Sequence, residues 1–432
     1  MDEARNTLKI ITAAGGNDKP REAFHTQPEF DEGGLRGWLA VTGGSLVLMG
    51  TFGNIQSFGV FQDFYTRTYF PREAPSTISW IGSLQLALQF LVGVVSGKLF
   101  DIGYFHLLMI SGSLLYTFSA FMLSLVQPHN FYQALLAQGF GMGIASGMLF
   151  LPSLGLASHY FRHRRAVAIG IMVSSGALGG IIYSVLLNNI LPREGWGFPW
   201  AVRFVAFINL FLFIIGNLIM KPRHLERSSD PVDMKQIWTD GAYWIAVAGL
   251  CLGNLGLFVP YFYLQLFSFI RGVDEKFLVW VIPILNAGAV AGRLMPSFLA
   301  DRYGPANIII PCGLLSGTIM WALLSVRSIA SVTIFALIYG FTSGAYISLS
   351  TPTIAAFSSS PNDIGLRIGI FCFFLGLSLL GGNPMAGALL SAPEYVWWRP
   401  LTLGSVTLLV GTALVLCARQ ALVQRRGGNR LV

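Results

Sequence analysis

Long apolar stretches, each about twenty residues and separated by short polar connections, fill the chain from residue 38 onward. At 1.5 Å rise per residue, a helix of that length crosses a hydrocarbon layer ~30 Å thick. Twelve runs are predicted to form membrane helices: 38–61, 77–99, 105–126, 131–157, 166–190, 200–220, 241–269, 276–299, 306–326, 331–356, 366–391 and 397–418. The longest connection, 221–240, falls between the sixth and seventh. The pattern predicts an all-α membrane protein with twelve transmembrane helices in two six-helix halves, 37–220 and 241–419. A cytosolic linker, 221–240, is expected between them, with cytosolic tails at 1–36 and 420–432.

An internal repeat supports the division. Gly97-Lys-Leu-Phe-Asp101 is matched 200 residues later by Ser297-Phe-Leu-Ala-Asp301. Gly139-Phe140, Gly143 and Pro152 in the fourth run are matched by Gly340-Phe341, Gly344 and Pro352 in the tenth, at offsets of 200 or 201. A doubled six-helix unit is the expected plan of a carrier whose halves rock about a shared site.

Composition agrees. Charged residues make up 11% and hydrophobic ones 54%, with mean hydropathy +0.62, where a soluble domain runs about 25% charged. The four cysteines, Cys251, Cys312, Cys372 and Cys417, lie in apolar runs without CxxC spacing, so neither a disulfide framework nor a metal site is expected, and no cofactor is indicated. The first 36 residues are polar and of mixed charge, without the apolar stretch of a signal peptide or the Gly needed for myristoylation, and read as a disordered tail.

The net charge of +8 is scattered between apolar runs, which argues for membrane topology and not for nucleic acid. With the N-terminus inside, 19 Lys and Arg fall on the cytosolic side, 7 on the outer side, and Arg203 and Arg293 within spans. That bias places both termini in the cytosol.

Three motifs carry candidate chemistry. The first, Asp31-Glu-Gly33-Gly34-Leu-Arg-Gly37-Trp38, brings the chain into the bilayer, with glycines for a tight bend and an indole for the interface. The second, Tyr160-Phe161-Arg162-His-Arg164-Arg165-Ala166-Val-Ala168-Ile-Gly170, clusters Arg162, Arg164 and Arg165 at the cytosolic face. These either anchor to anionic headgroups or hold neighbouring helix ends in one conformation. Farther along, Gly176 and Gly180 share a helix face that permits close packing.

The third is the stretch Gly288–Gly304, with Arg293 in an apolar span and Asp301-Arg302-Tyr303-Gly304 as a polar turn after it. Arg293 lies eight residues before Asp301, ~12 Å up a helix. A charge at that depth is expected to face an internal cavity, where a guanidinium can clamp a carboxylate. The alternative is an internal structural hydrogen bond. Asp101 and Asp301, with Arg302, are expected to latch the cytosolic ends. Asn286 lies seven residues before Arg293, on the same face, and is a candidate ligand contact beside Gln56, although buried amides more often join helices.

Over roughly residues 31–420 these motifs resemble the major facilitator superfamily, and within it the monocarboxylate porter family as found in fungi. The resemblance implies transport by alternating access, with the Arg293 position binding the substrate anion and Gln56 at a ligand position. The chain also departs from that pattern. Ile102 follows Asp101 where Arg is common. Ala289 replaces an acid of the proton-coupled members, and Gln56 replaces their Lys. No Asp, Glu or His falls mid-span, Asp63, Asp240, Glu275 and Glu394 being read at helix ends. Uniport, exchange or entry of a protonated substrate is therefore expected over proton symport.

The leading expectation is a carrier of a small organic solute, a carboxylate by the Arg293 reading, with efflux of a fungal secondary metabolite as the alternative. A nutrient sensor would need longer cytosolic tails. An intramembrane enzyme would need ligands or acids inside the spans, and an ATP-driven pump a GxxxxGK[ST] loop, which the chain lacks. One chain holds both halves, so a monomer is expected, and the plasma membrane is the location the resemblance implies.

Overall fold

A computed structural model describes residues 33–161, 164–223, 234–358, 360, 363–390, 394–425 and 427, apart from the side chains of Arg165 and Ala166. Asp31, Glu32, Arg162, most of the expected N-terminal tail and residues 224–233 of the 221–240 linker lie outside the described residues.

In lipid every backbone N–H and C=O must find its partner within the protein, and a continuous helix achieves this locally. Twelve helices long and apolar enough to cross a membrane occur among the described residues. They are α1 (Gly34–Tyr69), α2 (Pro75–Ile102), α3 (Phe105–Leu123), α4 (Phe131–Ala157), α5 (Arg165–Ile190), α6 (Gly197–Ile219), α7 (Gly241–Ile270), α8 (Glu275–Tyr303), α9 (Pro305–Ser325), α10 (Ile329–Ala355), α11 (Ile364–Ala388) and α12 (Trp398–Arg425). Leu107, Leu114, Phe118, Phe211 and Leu218 are exposed on the flanks, a surface that suits acyl chains and not water.

All twelve expected spans are present, and the differences lie at their ends. α1 runs to Tyr69 because Asp63 and Arg67, one turn apart, neutralise each other. The Asp101 and Asp301 segments are not turns after their helices: both acids sit in a last helical turn. The turns themselves are made by Gly103 (φ 110°) and Gly304 (φ 89°), where a left-handed backbone favours glycine.

The packing repeats as the sequence does. α2 lies on α4 as α8 lies on α10, and α3 on α6 as α9 on α12. The repeated glycines are the contact points. A Cβ on Gly143 would sit 3.0 Å from Gln85 Cα, and one on Gly344 would sit 2.7 Å from Ala289 O. Close backbone approach of this kind drives helix association where no hydrophobic gain is available. Ala289 is buried in that α8–α10 seam, its backbone against Gly340 and Gly344. The two sets of six helices meet mainly where α2 packs on α11 and α5 on α8.

Two of the sequence motifs prove to be halves of one contact. The Gly33 N–H donates to Tyr160 O (2.9 Å), and the Trp38 ring meets Phe161 edge-on at 5.2 Å. A Cβ on Gly37 would lie 3.1 Å from Tyr160. The glycines before α1 therefore seat the Tyr160-Phe161 corner, and Tyr160 Oη in turn donates to Lys221 O (2.6 Å).

Candidate translocation cavity

Between the two sets of helices lies a cavity of about 2230 Å³. Its mouth is rimmed by exposed polar residues, among them Lys98, Asp101, His106, Lys221 and Asp301. This is the end of the bundle at which the described chain starts and finishes. Deeper in, the wall is aromatic: Phe52, Phe90, Phe150, Phe258 and Phe373.

The opposite end is closed by two broken helices. α1 is interrupted at Ser57 and α7 at Phe258, an offset of 201 residues that follows the repeat. Beyond the breaks, the segments Phe58–Phe64 and Val259–Ile270 pack on each other, with the Phe58 and Phe262 rings 4.6 Å apart. Discontinuous helices of this kind flank the binding region of many carriers.

A polar lock joins these outer segments. Asp63 is only 1% exposed. Its two oxygens accept from Arg67 Nε and Nη2 at 2.7 Å each, and Oδ2 also accepts from Gln265 Nε2 at 3.1 Å. Gln265 Nε2 donates to Asn188 Oδ1 (3.0 Å), and the Arg67 guanidinium lies over the Phe269 ring at 3.9 Å. The sequence reading put Asp63 at a helix end. The longer α1 corrects this, since Asp63 is inside the span and buried at the seam.

Gln265→Leu removes the only side-chain bond from α7 to Asp63 among the described residues. A hydrogen bond to a charged group is worth about 1.5–3 kcal/mol, so the population open at this end is expected to rise about ten-fold or more. Labelling of a cysteine placed at Ser268, which is buried on the outer α7 segment, by an impermeant maleimide added from this side reads the change. Equal labelling with and without Gln265 would mean the bond does not hold the end closed.

Arg293 stands one layer behind the cavity wall. It is 0% exposed, and its Nη1 donates to Val173 O (2.8 Å) while its guanidinium lies 5.1 Å from the Phe52 ring centre. Nε and Nη2 are buried without a hydrogen-bond partner. Phe52 and Val173 both line the cavity, so they are what separates the guanidinium from it.

Gln56 and Asn286 lie in the same seam of α1, α5 and α8. Asn286 Nδ2 donates to Gln56 O (3.3 Å) and Ile282 O (3.1 Å), while Asn286 Oδ1 and both ends of the Gln56 amide are buried and unpartnered. Gly176 and Gly180 explain how the seam closes. A Cβ on Gly176 would meet Phe52 at 2.7 Å, and one on Gly180 would lie 2.8 Å from both Asn286 and Gln56. These glycines accommodate side chains as well as bringing backbones together.

The expected latch residues are dispersed around the mouth. Asp101 and Asp301 are exposed on its rim, and Arg302 is exposed with its guanidinium over Tyr303 at 5.6 Å. Arg164 is exposed just before α5, and Arg165 begins that helix.

The strongest ionic cluster at this end entered the sequence reading only as Asp240 at a helix end and Arg367 among the cytosolic-side charges. Arg367 is 0% exposed, with Nη1 donating to Asp240 Oδ2 and Nε to Asp363 Oδ2, both at 2.9 Å. Arg425 Nη1 also donates to Asp240 (Oδ1, 2.6 Å), and Tyr243 Oη donates to Arg367 O (2.8 Å). Burial alone would raise the Asp240 carboxyl, but hydrogen bonds from Arg425, the Tyr243 N–H and Arg367 outweigh it and hold it below its ordinary value. The one available sequence signal was Asp363 and Arg367 at i, i+4.

Among the described residues, no group of three or more His, Cys, Asp or Glu is placed to hold a metal ion.

Residues 38–359 match the sequence profile of the Major Facilitator Superfamily. The MFS-type transporter dbaD of Emericella nidulans is 35% identical over 402 residues, which cover 93% of this chain and 90% of that one. The Aspyridones efflux protein apdF of the same fungus is 33% identical, covering 86% of this chain and 75% of its own. Among solved structures, a bacterial homolog of the human lysosomal transporter Spinster, inward-facing and unoccupied, matches with TM-score 0.68 at 14% identity, covering 90% of this chain and 98% of that one. This last likeness concerns the fold. With a profile match over most of its length and a relative a third identical along nearly all of it, the chain belongs to the Major Facilitator Superfamily and is a multi-pass membrane transporter of small organic solutes, not an enzyme.

Proposed function

We propose that this transporter exports a flat, largely apolar organic acid, of the secondary-metabolite kind, from the cytosol. The observation that carries the reading is the aromatic cavity of about 2230 Å³, with a buried guanidinium behind its Phe52 wall. Pockets for drug-sized ligands run ~300–1,000 Å³, so the space suits a solute much larger than lactate. Aromatic rings reward a flat apolar body, and Arg293 supplies the charge complement for its acid. The Lys and Arg bias supports a cytosolic mouth, where an exporter loads. The relative named as an efflux protein agrees with that direction. The carrier resembles the monocarboxylate porters in its motifs, works as a single chain, and resides in the plasma membrane with both termini cytosolic. Asp101, Asp301, Arg302, Arg162, Arg164 and Arg165 are its gating group, drawn together when the mouth closes.

Counterflow tests this without assuming a coupling ion. Proteoliposomes preloaded with hydroxynaphthoic acid are expected to take up the labelled acid well above protein-free liposomes, and to ignore labelled lactate. Exchange of lactate with no exchange of the aromatic acid would overturn the reading.

A further inference from the structure

Phe52 belongs to two environments at once. It is 2% exposed and lines the cavity, and its ring centre lies 5.1 Å from the Arg293 guanidinium. That guanidinium makes one hydrogen bond among the described residues, to Val173 O, so its contact with the ring helps to offset the burial of its charge. The ring has aromatic neighbours on the same wall. Its centroid is 6.2 Å from that of Phe150, and Phe150 meets Phe90 edge-on at 5.3 Å, all three lining the cavity. They form a row with Phe52 at the Arg293 end. Gly176 makes the place for that last ring, since a Cβ there would come within 2.7 Å of Phe52 Cδ1.

We propose that Phe52 is a specificity-determining residue, a ring that covers Arg293 and gives way only to acids carrying an aromatic body. An acid bound for the two unpartnered nitrogens of Arg293 has to move this ring aside, and the guanidinium then loses its aromatic contact. A flat aromatic acid restores that contact with its own ring and packs beside Phe150. A small aliphatic acid such as lactate forms the same charged hydrogen bonds but leaves the lost contact unreplaced. Selection against small acids therefore comes from the cover over the arginine and not from the arginine itself. This inference deepens the proposed function and rests on the cavity being the solute path.

The test measures counterflow of labelled lactate and labelled hydroxynaphthoic acid side by side. In Phe52→Ala, lactate exchange is expected to rise about ten-fold or more above wild type, and the preference for the aromatic acid to shrink by a similar factor. Phe52→Leu, which fills the place without a ring, is expected to shift the same way by less, while Phe52→Tyr keeps the ring and should still ignore lactate. A merely structural role would lower both rates and would not create lactate exchange. Variants that still ignore lactate, or lose both acids in Ala and Leu alike, would overturn the role of Phe52 while the cavity reading stands. So would a wild type that exchanges lactate as readily as the aromatic acid. Should only the alanine variant be inactive, the leucine variant decides. Exchange of neither acid by wild type would overturn both readings.

Discussion

Arg293→Ala is expected to lower exchange of an aromatic acid by about ten- to a hundred-fold, while exchange of the corresponding neutral amide falls much less. The reason is the state of the guanidinium. One of its nitrogens bonds Val173 O, and the other two are buried without partners. Leaving such donors unmet is costly, and a bond to a charged group is worth about 1.5–3 kcal/mol, which sets the size of the effect. Under the proposed function these two donors are the ones an anion would meet, behind Phe52 and Val173 of the cavity wall. Arg293→Lys is expected to fail as well. A single ammonium can take the Val173 carbonyl but cannot offer the planar pair that matches a carboxylate. Equal losses for the acid and the amide would show that Arg293 only holds α8 to α5.

Arg367→Ala is expected to be the most damaging single change for stability. It takes the guanidinium from two nearly buried carboxylates, leaving Asp240 with Arg425 and the Tyr243 N–H. Removing one partner of a buried ion pair costs about 3–5 kcal/mol, and the contacts that both carboxylates keep set the loss toward the lower end of that range. Thermal denaturation in detergent would show a clearly lower midpoint, and Arg367→Ala combined with Asp363→Asn should recover part of it. An unchanged midpoint in the single variant would show that the cluster does not hold α7, α11 and α12 together. The pH dependence has a definite sign. Asp240 is held below its ordinary value in the folded chain, so its contribution is complete above the unfolded carboxylate range, about pH 4. It is lost as pH falls through the lower folded value.

The membrane helices were legible because each apolar run answers the same local demand. Even their errors are informative. α1 was read too short because Asp63 and Arg67 look like an end when counted singly and like a neutral pair when placed one turn apart. Arg367 was only counted with the cytosolic-side charge because its partner Asp240 lies 127 residues away. Arg293 was found as a buried charge, but its position one layer behind the wall depends on Phe52 and on Val173, which is 120 residues away. Ala289, noted in the sequence as a missing acid, proves to be buried where α8 meets the α10 backbone at Gly344.

The sequence by itself determined the twelve spans, their repeat and the presence of an arginine within the eighth, since a helix in lipid must satisfy its own backbone and tolerates few charges. Only the tertiary structure decided which end is open, what locks the other, and which polar groups border the cavity. Those depend on contacts such as Gln265 with Asp63, 202 residues apart, and hydrophobic periodicity carries no information about which helix faces lie against each other across the two halves.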